Sequence, residues 1–191
     1  KFVVLGDGAM GILPEDWLRR AGLVLAAAET SGDALRFRPG QAVLLDALLA
    51  AEPKATFDAG FSKLRRELHG IEELRPADPP AGFRGELRPY QRDGLAWLDF
   101  LRRAGLGGCL ADDMGLGKTI QLLAHFENRR AAGAGPSLVV VPRSLIFNWR
   151  SEAARFTPSL RVLDHTGLER SPANFKDADV VLTTYGTLRN D

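Results

Sequence analysis

The second half of the chain alternates between short apolar runs and longer amphipathic segments. The apolar runs GGCLA, SLVVV, RVLDH and DVVLTTY each have the length of a β-strand. Three segments between or before them, PYQRDGLAWLDFLRRAG, KTIQLLAHFENRR and SLIFNWRSEAARF, carry apolar residues at helical spacing. SLVVV lacks polar alternation, as in a strand buried on both faces. This order predicts an α/β fold, a parallel sheet with helices on both faces.

The first part of the chain is less regular. KFVVL is typical of a short strand, whereas PEDWLRRAG, QAVLLDALLAA and FSKLRRELHG have helical patterns. The proline- and glycine-rich segment RPADPPAGFRG then interrupts any helix. We therefore expect a small, mostly helical accessory domain over residues 1–75, a linker over 76–85 and the α/β domain over 86–191.

Composition limits the classes of function. The 191 residues carry a formal net charge of +1, so a basic coat is excluded and any nucleic-acid surface must be a local patch. One cysteine, Cys109, excludes an internal disulfide framework and fits a reducing, cytoplasmic setting. The apolar runs are too short to cross a membrane.

The segment DDMGLGKT lies between an expected strand and an expected helix. Gly115 and Gly117 allow the backbone to turn its amides inward, and the helix start adds unpaired N–H groups. Lys118 is suited to β- and γ-phosphates, and the Thr119 hydroxyl to a magnesium ion. These features predict a phosphate-binding loop, although a glycine-rich turn that caps a helix is the alternative.

The loop departs from the general pattern G-x-x-x-x-G-K-[ST] at its first position, where Asp112 replaces glycine. Asp112 and Asp113 are open to interpretation as a paired carboxylate site. Because free acids suit a phosphate pocket poorly, we expect them instead to cap the loop or to hold Lys118 before nucleotide binds.

Four segments in this order, LRPYQRDGLAWL, ADDMGLGKTIQ, LVVVPRSLIFNW and DVVLTTYGTL, resemble the first four motifs of the Swi/Snf family of DNA-dependent ATPases. ADDMGLGKT and the upstream GILPEDW are similar to the bacterial branch. The resemblance covers residues 85–191, and an aspartate at the first loop position is what the family shows. It implies a truncated RecA-like domain of a helicase-like translocase, which uses ATP and magnesium to move on double-stranded DNA and to remodel protein–DNA complexes.

The resemblance also implies roles for matching residues. Gln91 would bond the adenine edge, because an amide both donates and accepts, and Arg88 and Tyr90 would shape that pocket. Lys118 and Thr119 would serve catalysis, and Thr119 would bind magnesium. The loop residues expected to hold nucleotide are Asp113, Met114, Gly115, Leu116, Gly117, Lys118, Thr119 and Ile120.

The same resemblance implies DNA contacts from the PRSL and TTY segments. The residues concerned are Arg143, Ser144, Thr183, Thr184 and Tyr185, which would contact the DNA backbone without reading sequence. Without the family, Ser144 is a candidate helix cap, and TTY is ordinary strand sequence.

Two parts of the family's machinery are not in the sequence. The acidic motif that binds magnesium would follow Asp191, and the second RecA-like domain would supply an arginine finger; we therefore expect the chain by itself to be inactive. The alternative readings are another P-loop nucleotide-binding protein, or a partner-docking module with a non-functional loop. Further expectations are a cytoplasmic, nucleoid-associated location and RNA polymerase or another DNA-bound protein as partner.

Overall fold

The computed structural model describes residues 2–4, 10–12, 22, 26, 29–31, 34–37, 39–41, 45–47, 59–168 and 170–191. The chain divides into two compact units, one of Lys1–Glu72 with Arg102–Gly107 and one of Glu73–Leu101 with Gly108–Asp191. The domain boundaries at residues 75 and 85 stay a prediction.

The first unit contains two antiparallel strand pairs that the sequence did not predict, apart from the first strand. Strand β1 (Phe2–Val4) pairs with β2 (Met10–Ile12), and β3 (Glu29–Ser31) pairs with β4 (Ala34–Arg36). Helix α1 (Ala59–His69) confirms the third helical pattern. Strands of three residues are too short to show the alternation of apolar and polar residues that predicts a strand, so the sequence did not reveal them. Of PEDWLRRAG the structure describes only Gly22, which is helical, and of QAVLLDALLAA only Gln41, in a 3-10 helix, and residues 45–47, which are helical.

The second unit is built on a parallel sheet. Strands β5 (Ser137–Val140), β6 (Val162–Asp164) and β7 (Val180–Thr183) lie in the order β5-β7-β6, with both pairings parallel. Helices α2 (Pro89–Ala104, in this unit as far as Leu101), α3 (Lys118–Ala131), α4 (Ile146–Phe156) and α5 (Tyr185–Asn190) complete the unit. Short 3-10 helices occupy Arg143–Leu145 and Pro172–Asp177. The predicted parallel sheet is confirmed.

The central strand β7 is buried at every position, but β5 is not. Val139, Val180 and Leu182 pack with Leu123 of α3 and with Trp149 of α4 in one core cluster. Leu138, on the other face of β5, is 53% exposed. The expectation that SLVVV is buried on both faces is therefore wrong, since the face of β5 that carries Leu138 is exposed.

The predicted strand GGCLA is absent. Residues 106–113 form neither helix nor strand, and Cys109 is exposed. A strand exists only where a neighbour accepts its hydrogen bonds, and no described segment pairs with this one. The loop that precedes α3 is therefore fixed by other contacts.

Residues 76–85, the predicted linker, have no regular structure but are packed into the second unit. Phe83 and Leu87 are buried with Leu95 of α2 and Ala124 of α3. Phe83 also stacks on Phe156 at 6.0 Å between ring centroids. This packing holds the segment against the start of α2, where part of the candidate site lies.

Candidate nucleotide-binding site

The loop before α3 has the backbone form that its glycines predict. Gly115 has φ of 86° and Gly117 has φ of 77°, values that side-chain-bearing residues rarely adopt. Gly117 is the N-cap of α3, and no side chain caps the helix there. The N–H groups of the first turn are therefore left for a ligand, and the helix dipole favours an anion.

Lys118 is drawn back onto its own loop. Its Nζ donates to the backbone oxygen of Asp112 at 2.6 Å and to that of Asp113 at 2.9 Å. The two aspartates hold the lysine as expected, but with their carbonyl oxygens and not with their carboxylates. Phosphate oxygens would replace these carbonyls as acceptors for the same ammonium group.

The start of α2 is joined to the loop at Leu116. The Leu116 carbonyl oxygen accepts from the Tyr90 hydroxyl at 2.9 Å and from Gln91 Nε2 at 3.0 Å. Gln91 Oε1 accepts from the Arg88 backbone N–H at 2.9 Å, and the side chain is 5% exposed. One N–H and one lone pair of the amide remain, so the adenine contact of Gln91 is still a prediction.

Gly117 also makes room for Gln91. A Cβ at Gly117 would lie 2.6 Å from Gln91 Nε2, whereas a Cβ at Gly115 would meet nothing within 4 Å. Of the other loop residues, Met114 is almost wholly exposed and Thr119 and Ile120 are half-buried at the first turn of α3. The structure thus brings most of the predicted nucleotide residues to one loop and to the starts of α2 and α3.

A polar seam between α2 and α3 was missed by the sequence reasoning, which looked for apolar positions on α3. Gln121, His125 and Asn128 lie on one side of α3. Gln121 reaches Gly94, while His125 Nδ1 and Asn128 Nδ2 lie 3.1 Å and 3.3 Å from Asp99 carboxylate oxygens. The polar residues recur at i, i+4 and i+7 in QLLAHFEN, and this recurrence was the available signal.

The donor groups of the loop before α3 fit the polyphosphate of ATP better than they fit a metal ion alone. The loop offers an ammonium group and uncapped N–H groups, which are donors only. Among the described residues no group of three or more acidic, histidine or cysteine side chains could hold a metal.

The predicted DNA residues gather where β5 and β7 end side by side, with one exception. Val140 pairs with Thr183, and the Val141 N–H donates to the Thr183 carbonyl at 2.9 Å. Beyond these strand ends, Arg143 and Ser144 are exposed and Tyr185 is 67% exposed. With the half-buried Thr184, these exposed groups form one rim, which we call the carboxyl rim (Arg143, Ser144, Thr184 and Tyr185).

The exception is Thr183, which does not reach the surface. It is 2% exposed, and its hydroxyl donates to the His165 carbonyl at 3.1 Å. The expected DNA contact of Thr183 is therefore wrong for its side chain, since β7 is buried at every position, Thr183 included. Thr184 instead caps α5 by accepting from the Thr187 N–H at 3.2 Å. Ser144 is not a cap either, because a 3-10 helix from Arg143 to Leu145 precedes α4.

A charged cluster ties the last residues to the sheet. Asp191 is bonded by Arg170, with Nη2 2.6 Å from Oδ1, and lies 3.0 Å from His165 Nε2. The pKa of Asp191 is lowered to about 2. The hydrogen bond from Arg170 is the main cause, and the hydrogen bond with His165 is a smaller one. His165 is also the residue whose carbonyl holds Thr183, so the cluster supports the inner side of the carboxyl rim.

The chain is similar to known proteins over most of its second half. Residues 90–191 match the SNF2-related domain. The chain belongs to the SNF2 family. Among curated SNF2 relatives, the putative ATP-dependent helicase/translocase YwqA of Bacillus subtilis is 44% identical over 135 residues, 67% of this chain and 15% of that protein. The TATA-binding protein-associated factor MOT1 of Saccharomyces cerevisiae is 33% identical over 165 residues, 74% of this chain and 9% of that protein.

The fold of this chain also resembles that of a solved SNF2 structure. The Sulfolobus solfataricus SWI2/SNF2 ATPase core in complex with dsDNA is 41% identical with a TM-score of 0.58, covering 61% of this chain and 25% of that chain. The family assignment confirms the Swi/Snf resemblance and the truncated RecA-like sheet. In the described part of the chain, no helix has the length and apolar character needed to cross a membrane.

Proposed function

We propose that this chain is the ATP-binding part of a DNA-dependent ATPase that translocates on double-stranded DNA and remodels protein–DNA complexes. The observation that carries the proposal is the uncapped start of α3 beside Lys118, whose ammonium group donates to the loop carbonyls of Asp112 and Asp113. Donors without a nearby carboxylate partner suit a polyphosphate. Relatives named as ATP-dependent helicases support ATP as the nucleotide.

Each residue has a separate task in this proposal. Lys118 and the first N–H groups of α3 bind phosphate oxygens, and Thr119 helps to bind magnesium, which supplies charge neutralisation at the phosphates. Tyr90 and Gln91 hold the loop through the Leu116 carbonyl. The free N–H and lone pair of Gln91 are available to read adenine.

The carboxyl rim is the proposed DNA surface. Arg143, Ser144 and Tyr185 of the rim are exposed, as backbone contacts require, and the solved SNF2 core with dsDNA supports DNA as the partner. We place the protein in the cytoplasm with the nucleoid, where RNA polymerase or another DNA-bound protein would be the target of remodelling. The name of MOT1, a TATA-binding protein-associated factor, supports a DNA-bound target.

Calorimetric titration with magnesium and either ATP or GTP tests the nucleotide proposal. We expect ATP binding that Lys118→Ala removes, and weaker GTP binding, because Gln91 is arranged to discriminate the base. Equal binding of GTP would favour another kind of P-loop protein. Absence of binding at every concentration would favour a partner-docking module and would refute the proposal.

DNA binding is tested by comparing duplexes of different sequence. Arg143→Ala should weaken binding similarly on all of them and reduce the salt dependence of log K by about one unit per lost phosphate contact. Asp177→Asn, at an exposed acid of the 3-10 helix Pro172–Asp177, is the control. A loss confined to one sequence would contradict backbone contact.

A further inference from the structure

The aspartate at the first loop position is bonded to a buried glutamine. Asp112 Oδ2 accepts from Gln121 Nε2 at 2.7 Å, and Gln121 has no exposed surface. A hydrogen bond to a charged acceptor is stronger than one between neutral groups. Because this position is a glycine in the general loop pattern, the carboxylate is available for a contact that the general pattern lacks.

Asp112 is thereby attached to α3 at two points. Its carboxylate is bonded to Gln121, and its carbonyl oxygen to Lys118 Nζ at 2.6 Å. Lys118 and Gln121 are three residues apart, so they lie on the same side of the first turn of the helix. The two bonds fix the beginning of the loop against the helix start that would receive the phosphates.

The position of Gln121 that allows its bond to Asp112 also destabilises the fold in one respect. Gln121 Oε1 is buried and has no hydrogen-bond partner among the described residues. A buried acceptor without a partner is destabilising, and an apolar side chain of similar size would avoid that penalty. Turning the amide over would place an oxygen against the Asp112 carboxylate, so the contact with Asp112 determines its orientation.

A glycine on α2 provides the space for this arrangement. A Cβ at Gly94 would lie 1.8 Å from Gln121 Oε1. The amide therefore occupies the place that a side chain at Gly94 would need. The close approach of α2 to α3 at Gly94 therefore depends on the orientation of the Gln121 amide, and that orientation depends on the absence of a side chain at Gly94.

We infer that Gln121 is a positioning residue for nucleotide binding. Its bond to Asp112 holds the first loop residue so that Lys118 and the uncapped N–H groups of α3 face the phosphates. The inference rests on the proposed function, since it assumes that the loop binds a nucleotide. Gln121 itself is buried and acts through Asp112.

The test exchanges donor and acceptor. Gln121→Glu opposes two carboxylates and should weaken binding of magnesium-ATP about tenfold. In the double variant Asp112→Asn with Gln121→Glu, the asparagine amide donates to the glutamate, and affinity should return to within about threefold of the original. A general loss of stability would not be repaired by reversing the polarity of one bond.

A matched control lies on the same helix. Asn128 Nδ2 donates to Asp99 Oδ2 at 3.3 Å, so Asn128→Asp makes the same chemical change away from the loop. It should alter the melting temperature without altering ATP affinity. If Gln121→Glu does not fold, Asp112→Ala, which removes the acceptor from the half-buried loop residue, should weaken ATP binding by a similar factor.

The outcomes are distinct from those of the functional test. If the unchanged chain fails to bind ATP, the proposed function itself is wrong. If it binds ATP and Gln121→Glu, or Asp112→Ala where that variant is used, binds equally well, the positioning role is refuted. A double variant no better than Gln121→Glu would refute it also.

Discussion

Replacing one loop glycine should be much more harmful than replacing the other. Gly115 and Gly117 both have positive φ, so alanine at either position is strained by about 1–2 kcal/mol. The two sites differ in space, because a Cβ at Gly117 would lie 2.6 Å from Gln91 Nε2 and a Cβ at Gly115 would meet nothing. Comparison of the two alanine variants therefore cancels the backbone strain and isolates the contact with Gln91.

The magnitude follows from the bonds that Gln91 would lose. The amide is the end of a flexible side chain, so it would move aside and break its 3.0 Å bond to the Leu116 carbonyl. A bond of this kind contributes about 0.5–1.5 kcal/mol, so Gly117→Ala should be less stable than Gly115→Ala by roughly 1 kcal/mol. ATP affinity should also be lower, by about fivefold, since the loop and the adenine-reading group are displaced together.

Urea unfolding gives the free energy of unfolding for both variants, and calorimetry gives their ATP affinities. If Gly117→Ala and Gly115→Ala lose the same stability and the same affinity, the close approach of Gln91 to the loop has no energetic role. A larger loss in Gly115→Ala would contradict the geometry of the loop directly.

Three further predictions concern activity, the rim and pH. The chain should hydrolyse ATP no faster than its Lys118→Ala variant with duplex DNA present, because hydrolysis also needs a metal-binding acid and an arginine finger, and the candidate site supplies a phosphate loop; turnover lost in that variant would refute this. Thr183→Val should lower the free energy of unfolding by about 1 kcal/mol and leave DNA affinity unchanged, since its hydroxyl bonds the His165 carbonyl; weaker DNA binding would restore Thr183 to the DNA surface. The lowered pKa of Asp191 means that its stabilisation is present above the unfolded pKa of about 3.9 and is lost as the pH falls toward the folded value of about 2. Asp191→Asn should therefore reduce stability at neutral pH and reduce its decline between about pH 5 and pH 2, and an unchanged acid profile would show that the contacts with Arg170 and His165 do not stabilise the fold.

The sequence was most informative where a pattern is local and repeated. The runs around Val139 and Val181 gave two strands of the parallel sheet, and the glycines around Lys118 gave a helix start with positive φ on its loop. Each of these features depends on neighbouring residues, so periodicity or residue type suffices to predict it.

Long-range contacts were not accessible in the same way. GGCLA has the composition of a strand, but strand formation depends on a partner that composition does not identify. Thr183 looked like a surface hydroxyl because it lies near the end of its strand, but β7 is buried at every position up to Thr183. Gln121 was passed over because a polar residue in a helix usually faces solvent, whereas here it faces α2 and Asp112.

A crystal structure of the chain with magnesium and a non-hydrolysable ATP analogue tests the central claim most directly. The account predicts that Lys118 Nζ leaves the carbonyl oxygens of Asp112 and Asp113 for the β- and γ-phosphates. The N–H groups at the start of α3 should lie within hydrogen-bond distance of the same phosphates, with Thr119 near the metal. A nucleotide bound elsewhere, or phosphates at this loop while Lys118 remains on its carbonyls, would contradict the account.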